Sequence, residues 1–588
     1  MGDKFSYINL SDSQKAIIDN TGHFVVKACP GSGKTITVAE RTKKIIKAWK
    51  ESHRGIAIIS FTNVAWQEIE KYIANEITIS YPHFLGTIDS FINRYIFLPF
   101  GHLIMNCNKR PELVGQPYND WEPINNGWFW GNCECQKNEC KLNDFSYDIN
   151  GNFINFSPRS HFNNCQSSHK YCQKKKCLFT SKGYATQLDA NYFAMKVLEN
   201  FSDIAKALAY RFPLIMLDEA QDTSAIQMII LEILINSGIE DIMLVGDPDQ
   251  ALYAWRTADP KLFQKKYIQW KNNSKLLNEN WRSSQNICNF FYKISSLTNI
   301  PESKNNYCKD CKIKPEIWGY KDDIIQSIIN KFLDLCKNNF IVPIPENIAI
   351  LTRSKEFLSQ ISKNNIKIKK ISPWADDCLY ARDIARAKFF FEKGLFAKAF
   401  TIMERTVFKI ITDLRYANSN EIYELAEKKY GIIKWRCEIL NIISSLPNIK
   451  YPLGEWITEV NKYLNSNCNI INNKIPSFTL RIKSDRKPNI YSKLSLEELF
   501  SQVEDSKLSL PNYILGTVHS IKGETFEAVL FFAKQKGGDN RNYITILNSR
   551  IEESEELRII FVAISRPRKI LVIACPEKDT SIWKTRFA

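Results

Sequence analysis

A Gly-rich turn between a strand-like run and a helical pattern constrains the fold of this chain more than any other feature. The apolar run HFVVKA leads directly into ACPGSGKT, Ala28–Thr35, and then into TVAERTKKIIKAWK. Glycines in such a turn let the backbone close around an anion, and the N–H groups that open the helix then face it. The pattern predicts a P-loop in which Lys34 reaches the outer phosphates of a nucleotide and Thr35 binds Mg²⁺. The other predicted phosphate-binding positions are Gly31, Ser32 and Gly33.

A second motif supplies acids. The apolar run FPLIML ends in DEAQD, Asp218–Asp222. A buried strand that delivers two adjacent carboxylates suits a Mg²⁺-dependent nucleotide hydrolase, because one acid holds the metal and the other orients or deprotonates the attacking water. We expect Asp218 on the metal side and Glu219 as the base. Without the P-loop this pair would be a weak signal.

Short β-branched runs alternate with helical patterns in two groups. The first group contains HFVVKA, GIAIISF, FPLIMLDE and DIMLVGD, and the second contains NIAILTR, EAVLFFA and KILVIAC. Buried runs that alternate with helices are typical of parallel sheets. The sequence therefore predicts an α/β protein with two cores. Residues 94–182, rich in Asn, Lys and Cys, and the helical residues 373–505 are predicted insertions into these cores.

Composition excludes several classes of protein. With 44% apolar residues the 588-residue chain is not disordered, and it has no charge-free apolar run of the length that a membrane span needs. Its net charge of +16 favours a polyanionic partner. Its 16 Cys are too few for a disulfide scaffold and predict a reducing, cytoplasmic compartment.

These motifs stand in an order that resembles the UvrD/Rep-like helicases of superfamily one. The matching segments are LSDSQ (Leu10–Gln14), the P-loop, ISFTN (Ile59–Asn63), GTIDSF (Gly86–Phe91), DEAQD, VGDPDQ (Val245–Gln250), NWRS (Asn280–Ser283), GTVHSIKGE (Gly516–Glu524) and Arg558–Arg566. The resemblance implies a P-loop NTPase with two RecA-like parallel-sheet motor cores, each carrying an inserted accessory subdomain. The implied boundaries are 1–93 and 183–275 for core 1A, with a 1B-like insertion at 94–182. Core 2A comprises 276–372 and 506–588, with a 2B-like insertion at 373–505.

The resemblance also implies roles at the nucleotide. Gln14 corresponds to the adenine-reading residue, Trp281 to an aromatic that stacks on adenine, and Gln250 to a γ-phosphate sensor. Arg282 and Arg566 correspond to the two γ-phosphate arginines, whose closure onto the nucleotide stabilises transition-state charge. The family's ribose-binding Glu corresponds to Glu524, which stands one residue earlier here because the order is Lys-Gly-Glu-Thr-Phe.

A further set of positions corresponds to the family's DNA contacts. Phe61 and Trp255 match base-stacking positions, although core packing is an alternative for both. The remaining expected contacts are Thr62, Asn63, Tyr253, Thr517 and His519. Lys174, Lys175 and Lys176 in the first insertion either touch phosphates or are solvated.

The resemblance does not explain the cysteines of the first insertion. Seven of the 16 Cys fall between Cys107 and Cys177 in a segment too polar to bury a core of its own, which favours a structural metal. A zinc site is expected, with an iron–sulfur cluster or no metal as the alternatives. The candidate ligands are Cys133, Cys135, Cys140, Cys165, Cys172 and Cys177. A separate pair, Cys308 and Cys311, has no partner pair nearby and is expected to lie on the solvent side, with metal ligation as the alternative.

The function implied is an ATP- and Mg²⁺-dependent translocase or helicase of 3′→5′ polarity on single-stranded or tailed duplex DNA. Asp89, where many members have His, and the Gly523-Glu524-Thr525 order resemble the helicase subunits of Gabija-type antiviral defence systems. Such subunits work beside a nuclease related to the overcoming-lysogenization-defect family. The alternative is a regulatory subunit that senses nucleotide and DNA ends to control a partner nuclease, with little unwinding.

Overall fold

The structure is a computed structural model of the chain. It describes residues 10–74, 76–114, 145–156, 170–252, 258–321, 325–354, 357–358, 361, 379–412, 422–423, 425–466, 480, 491–497, 499–500, 507–510, 512–533 and 543–588. Contacts between residues divide these into two compact units. The described residues from 379 to 500 form the second unit, and all others form the first.

The strands are numbered in chain order. They are β1 (His23–Ala28), β2 (Ile56–Ser60), β3 (Phe84–Thr87), β4 (Glu112–Leu113), β5 (Phe145–Tyr147), β6 (Phe153–Asn155), β7 (Tyr184–Ala185), β8 (Leu214–Leu217), β9 (Asp241–Gly246), β10 (Lys275–Leu277), β11 (Glu279–Asn280), β12 (Glu302–Ser303), β13 (Glu316–Tyr320), β14 (Ile348–Thr352), β15 (Lys507–Leu510), β16 (Tyr513–Thr517), β17 (Phe526–Phe532) and β18 (Pro567–Pro576).

The first unit contains two six-stranded sheets. The first sheet has the order β10-β1-β9-β8-β2-β3, and all its pairings are parallel. β2, β8 and β9 are buried along their whole length, as expected for strands covered by helices on both faces. The carboxyl ends of these parallel strands share one edge, which places the P-loop after β1 and the acidic box after β8 beside each other.

The second sheet has the order β13-β18-β17-β14-β16-β15. Its pairings are parallel except for β15, an edge strand antiparallel to β16. The predicted α/β class with parallel sheets is confirmed.

Helices connect and cover these strands. The α-helices of the first unit are Asp12–Ile18, Lys34–Ala48, Asn63–Ile73, Ile88–Ile92, Leu98–Phe100, His102–Met105, Lys170–Ser181, Gln187–Asn200, Ser202–Arg211, Ala225–Asn236, Pro260–Gln269, Gln285–Tyr292, Ile325–Asn338, Tyr543–Asn548, Glu555–Ile564 and Thr580–Phe587. Within the described residues, no helix combines the length and apolar character needed to cross a membrane.

The second unit is helical. Its α-helices are Leu379–Glu392, Phe396–Thr412, Ile432–Ser445 and Leu453–Ser466. They share one apolar cluster in which Trp435 and Trp456 are fully buried. Each indole N–H has a partner, since Trp435 donates to Glu404 at 2.9 Å and Trp456 donates to the Pro447 carbonyl at 3.0 Å. The helical character expected of this segment agrees with these elements, whereas its naming as a 2B-like subdomain stays a prediction.

The described part of the first insertion places one predicted lysine inside the protein. On the helix Lys170–Ser181, Lys176 is fully buried, and its Nζ lies 2.7 Å from Oδ2 of Asp189, which is also fully buried. Asp189 also accepts hydrogen bonds from the Ser146 hydroxyl and from the Thr186 backbone and hydroxyl. Because Lys176 is buried and paired with Asp189, it neither contacts phosphate nor is solvated. The pair is needed because either charge would be costly to bury alone.

Candidate active site

The P-loop lies between β1 and the helix Lys34–Ala48, as its pattern predicts. Gly33 caps the helix with a left-handed backbone, φ +79°, and Gly31 has φ +69°. These angles favour glycine and turn the backbone around the start of the helix. Next to the loop is a cavity of about 260 Å³. Its lining comprises Gly31, Ser32, Gly33, Lys34, Thr35, Ile36, Thr62, Ala65, Glu68, Glu219, Asp222, Gln250, Arg282, Lys522, Gly523 and Arg566.

The segment after β10 and β11 packs directly on the P-loop. The Trp281 backbone N–H donates to the Gly31 carbonyl at 2.8 Å, and the Asn280 side-chain amide donates to the Pro30 carbonyl at 2.7 Å. A Cβ on Gly31 would lie 2.7 Å from Cβ of Arg282. Glycine at this position therefore permits both the turn of the loop and the close approach of Arg282.

The acidic box lies at the end of β8. Glu219 has a left-handed backbone with φ +56°, which is uncommon for a non-glycine residue and is often seen at functional sites. Its backbone N–H donates to Oδ1 of Asp218 at 2.9 Å. The other oxygen, Oδ2, is buried and has no hydrogen-bond partner within the described residues. A buried carboxylate oxygen of this kind, in a carboxyl group on which the charge of the P-loop Lys34 acts, fits a Mg²⁺ ligand.

The carboxyl groups of the acidic box differ in pKa. Burial raises the pKa of Asp218 to about 7, and the neighbouring Glu219 adds to this effect. Burial also raises the pKa of Glu219, but the positive charges of Lys34 and Lys522 have the larger effect and lower this pKa to about 2. Burial also raises the pKa of Asp222 to about 6, although Lys522 opposes the shift. The site thus keeps Glu219 as a carboxylate, the form needed to orient or deprotonate water.

A chain of hydrogen bonds leads from Glu219 to an arginine of the second sheet. The side-chain amide of Gln221 donates to Oε2 of Glu219 at 2.5 Å, and its Oε1 accepts from the Asp247 backbone at 3.0 Å. The Asp247 carboxylate accepts from Gln250 Nε2 at 2.5 Å. Oε1 of Gln250 accepts in turn from the Arg566 guanidinium. Because the members that follow Glu219 are almost fully buried, the chain positions these side chains relative to one another.

The two predicted γ-phosphate arginines meet at the same cavity. Arg566 follows the helix Glu555–Ile564, and Arg282 Nη1 donates to the Ser565 carbonyl at 3.1 Å. Burial lowers the pKa of Arg566 to about 10. Burial and the nearby Arg566 and Arg568 also lower the pKa of Arg282. Two guanidiniums held this close favour an anion between or beside them.

Lys522 adds a third cation from the second sheet. It forms an ion pair with the buried Asp222, and its Nζ lies 3.8 Å from Oε2 of Glu219. Its side chain is only 8% exposed. The segment that carries the predicted DNA contacts Thr517 and His519 is therefore joined directly to the acidic box.

The predicted adenine and ribose residues lie around the cavity. Gln14 is buried, caps the helix Asp12–Ile18 and donates to the Ser32 carbonyl of the P-loop at 3.3 Å. Trp281 has 37% of its surface exposed beside the loop. Glu524 follows the lining residue Gly523 and raises the pKa of Glu68 by charge repulsion, a smaller effect than that of burial.

The predicted DNA contacts have mixed placements. Phe61 is half-buried and packs on the first core, and Thr62 caps the helix Asn63–Ile73 and lines the nucleotide cavity. Asn63 opens that helix. Thr517 is buried at the end of β16, whereas His519 is half-buried. Tyr253 and Trp255 lie outside the described residues.

The predicted metal-binding cysteines are described only in part. Cys133, Cys135, Cys140 and Cys165 lie outside the described residues. Cys172 is buried, whereas Cys177 is exposed, with its Sγ 3.4 Å from the Tyr147 hydroxyl. The described residues contain no group of three or more His, Cys, Asp or Glu placed to hold a metal. Zinc in this insertion stays a prediction.

Sequence reasoning missed several residues of the site. Glu68 lines the cavity, and its spacing of three and six residues from Ala65 and Thr62 on one helix could have indicated this. Gln221 and Lys522 stand inside motifs that were recognised, but their long-range partners have no local sequence signal.

Comparison with known proteins supports this reading of the motifs. The family model of the UvrD/REP helicase N-terminal domain matches residues 10–115 and 131–271. An ATP-dependent helicase/nuclease subunit of Streptococcus pneumoniae (strain Hungary19A-6) is 36% identical over 104 residues, which are 17% of this chain and 8% of that protein. An exonuclease/helicase subunit RexA of Lactococcus lactis subsp. cremoris (strain MG1363) is 33% identical over 149 residues, which are 24% of this chain and 11% of that protein. The chain thus matches about a tenth of the length of these relatives.

Proposed function

Residues 10–115 and 131–271 match the UvrD/REP helicase N-terminal domain, and from this premise we propose that the chain is a UvrD-like helicase and an ATP- and Mg²⁺-dependent motor on single-stranded DNA. In this proposal ATP binds at the P-loop, Glu219 activates the attacking water, and Arg282 and Arg566 stabilise the charge of the transferring phosphate. Movement is 3′→5′, the polarity that the family implies.

One observation carries the proposal. A single cavity receives the P-loop and Glu219 from the first sheet, Arg282 from the segment after β11, and Lys522 and Arg566 from segments of the second sheet. Each side alone lacks part of a hydrolytic site. Nucleotide binding and loss of the γ-phosphate must therefore change the forces between the two sheets, and such a change is the basis of a motor.

Mg²⁺ is part of the proposal. Thr35 and Oδ2 of Asp218, which has no hydrogen-bond partner among the described residues, would hold it together with phosphate oxygens, since Mg²⁺ is commonly bound by one or two carboxylates plus substrate. The ion would neutralise charge on the phosphates. Lys34 and the backbone of Gly31 and Gly33 bind the phosphates, and Gln221 holds Glu219 in place.

Two features support DNA as the track. The net charge of +16 suits a polyanion, and a phosphate-binding protein on single strands should lose affinity with salt at a slope of about −0.7 per phosphate neutralised. His519 and Thr517 lie in the same segment as Lys522, whose Nζ is 3.8 Å from Oε2 of Glu219. A DNA strand bound to this segment can therefore influence Glu219 through Lys522.

We also propose a nuclease partner in a cytoplasmic antiviral complex of the Gabija type. The names of the relatives describe them as helicase/nuclease or exonuclease/helicase subunits, which supports a link between such motors and cleavage. Asp89 and the Gly-Glu-Thr order after Lys522 support the narrower assignment.

Strand displacement with matched tails tests the motor. The purified chain, ATP and Mg²⁺ are mixed with a duplex bearing either a 3′ or a 5′ single-stranded tail, and release of the labelled strand is followed. We expect displacement from the 3′-tailed duplex only. Displacement from the 5′ tail would contradict the polarity, and hydrolysis without any displacement would favour the regulatory alternative.

A pair of lysines on one helix supplies the control. Lys34→Ala should abolish both hydrolysis and displacement. Lys44→Ala should leave both unchanged, because Lys44 makes an exposed ion pair with Asp19. Equal activity of the two variants would refute the assigned phosphate site.

A further inference from the structure

Three buried thiols contact the segment that carries Trp281 and Arg282. Cys29 Sγ lies 3.6 Å from the Glu279 carbonyl oxygen, Cys288 Sγ lies 4.0 Å from that of Ser283, and Cys308 Sγ lies 3.3 Å from that of Arg282. All three side chains are buried. The shortest of these contacts belongs to Cys308. Because Cys308 is buried, the expectation that it lies on the solvent side is wrong.

The loop around Cys308 holds the Arg282 backbone through two bonds. Besides the thiol, the Asn305 side-chain amide donates to the same Arg282 carbonyl at 3.2 Å. The loop enters through β12, where the Lys304 backbone donates to the Asn280 carbonyl at 2.7 Å. The position of the Arg282 backbone therefore depends in part on the S–H of Cys308.

Cys311 stands where a disulfide with Cys308 is geometrically accessible. The Cys311 backbone N–H donates to the Cys308 carbonyl at 3.0 Å, which closes a turn of four residues. The Cα atoms of the first and last residues of such a turn lie within about 7 Å. A disulfide spans Cα separations of about 4.4–6.8 Å, so the Cα separation that such a turn imposes overlaps the range of a disulfide.

The two thiols differ in exposure, as the partners of a redox pair do. Cys311 is half-buried, whereas Cys308 has only 2% of its surface exposed. Burial raises the pKa of Cys308 to about 11, which keeps its sulfur protonated and able to donate to Arg282. Cys311 is therefore the sulfur that a small oxidant meets first.

We propose that Cys308 and Cys311 form a reversible disulfide site that withdraws the Cys308 thiol from the Arg282 carbonyl. The oxidant is a low-molecular-weight disulfide. The Cys311 thiolate attacks one sulfur of this disulfide and releases one small thiol. Cys308 then gives its proton to the released small thiolate, and its sulfur attacks the Cys311 sulfur and releases the second small thiol. Two protein thiols are oxidised, and one small disulfide is reduced to two thiols, with the protons of the protein thiols carried to the released thiolates.

The consequence for hydrolysis rests on the proposed function. Oxidation removes the S–H donor and leaves the Arg282 carbonyl with the Asn305 amide, so Arg282 is less firmly placed at the cavity. A hydrogen bond worth about 1 kcal/mol corresponds to a factor of about five, and we expect ATP hydrolysis to fall by at least that factor.

The experiment treats the full chain with oxidised glutathione and follows three readouts. Peptide mass spectrometry should find Cys308 and Cys311 joined, with the loss of two hydrogens. Amide hydrogen exchange of the peptide covering residues 279–284 should accelerate. ATP hydrolysis should fall, and dithiothreitol should restore all three.

Two serine variants serve as controls. Cys311→Ser retains the Cys308 contact but cannot form the bond, so its exchange and hydrolysis should not respond to the oxidant. Cys437→Ser, at an exposed cysteine of the second unit, should respond like the wild type.

The site is refuted if oxidised glutathione modifies Cys437 while Cys308 and Cys311 stay reduced. It is equally refuted if the disulfide forms and exchange of residues 279–284 does not change. If the reduced wild type hydrolyses no ATP, the proposed function fails, while the mass and exchange readouts still decide on the disulfide.

Discussion

The Arg566 guanidinium donates a hydrogen bond to the side-chain oxygen of Gln250, and both residues are almost fully buried. Gln250 at the same time donates to the Asp247 carboxylate at 2.5 Å. The amide thus links a carboxylate of the first sheet to an arginine of the second. Arriving γ-phosphate oxygens would compete with Gln250 for the guanidinium, so this bond joins nucleotide binding to the arrangement of the two sheets.

Substitution of this pair tests that link. Arg566→Ala should lower kcat for ATP hydrolysis by about 10³-fold or more, as removal of a γ-phosphate arginine does. Gln250→Ala should also lower kcat, and the double variant should lose less than the sum of the two effects in free energy, because contacting residues are coupled by about 0.5–3 kcal/mol. Arg550→Ala is the control, since the Arg550 side chain is exposed and is not among the residues that line the nucleotide cavity. Strict additivity would show that the hydrogen bond has no role.

The contact between the P-loop and Arg282 predicts a size limit at Gly31. Gly31→Ala should lower kcat by about a hundredfold, because its Cβ would lie 2.7 Å from that of Arg282, and a small misplacement near the chemistry has effects of this size. Gly394→Ala is the matched control, because its φ of +77° is close to the +69° of Gly31 and no atom of the described residues lies within 4 Å of its Cβ position. Steady-state kinetics should show normal hydrolysis in Gly394→Ala. Equal losses in the two variants would attribute the effect to backbone strain alone.

The buried ion pair of Lys176 and Asp189 predicts a stability effect without a DNA effect. Lys176→Met should destabilise the protein by about 3–5 kcal/mol, because it leaves the Asp189 charge buried without its cation. The exposed Lys174→Ala should change stability by less than about 0.5 kcal/mol. Denaturant unfolding measures both. An unchanged stability of Lys176→Met together with weaker DNA binding would return this lysine to the role of a phosphate contact.

His519 predicts a pH dependence of stability. Burial lowers its pKa to about 4 from an ordinary 6.5, and the charges of Arg353 and Lys522 act in the same direction. Since the folded state binds this proton less readily than the unfolded chain, its contribution is complete above pH 6.5 and is lost as the pH falls from 6.5 to 4. Calorimetry over this range should show a smaller loss of stability in His519→Gln than in the wild type.

Asp249 also changes the stability of the protein in this pH range, so the pH profile of the wild type must be compared with that of His519→Gln. Burial and Asp247 raise its pKa to about 7 from 3.8, so its contribution is lost as the pH rises through that range, opposite to the effect of His519. Asp249 acts equally in both proteins, and the difference between them isolates His519. Identical pH profiles would mean that His519 titrates normally in the folded protein.

Local motifs carried most of what could be predicted. The P-loop, the acidic box and the alternation of apolar runs each have a short-range signal. They predicted the α/β class, which is confirmed, and a resemblance to UvrD-like helicases, which the family-model match to residues 10–115 and 131–271 supports. The cavity also brings together Lys34, Glu219, Gln250, Arg282 and Arg566, the residues that the order of motifs singled out. Their assigned roles stay predictions.

Contacts between distant segments could not be predicted. The pairing of Lys176 with Asp189 joins two helices, and that of Lys522 with Asp222 joins the two sheets, and neither has a signature in the residues around it. Cys308 was expected on the solvent side because the pair Cys308 and Cys311 has no partner pair nearby in the sequence. The loop folds back on Arg282, and only the three-dimensional structure reveals that packing.

The central claim is that DNA and ATP act on one motor, and the rate of ATP hydrolysis with and without single-stranded DNA tests it most directly. Purified full chain with Mg²⁺ should hydrolyse ATP at least about tenfold faster when the strand is present, and the stimulation should decline steeply with salt. A rate that single-stranded DNA leaves unchanged at low salt would contradict the account.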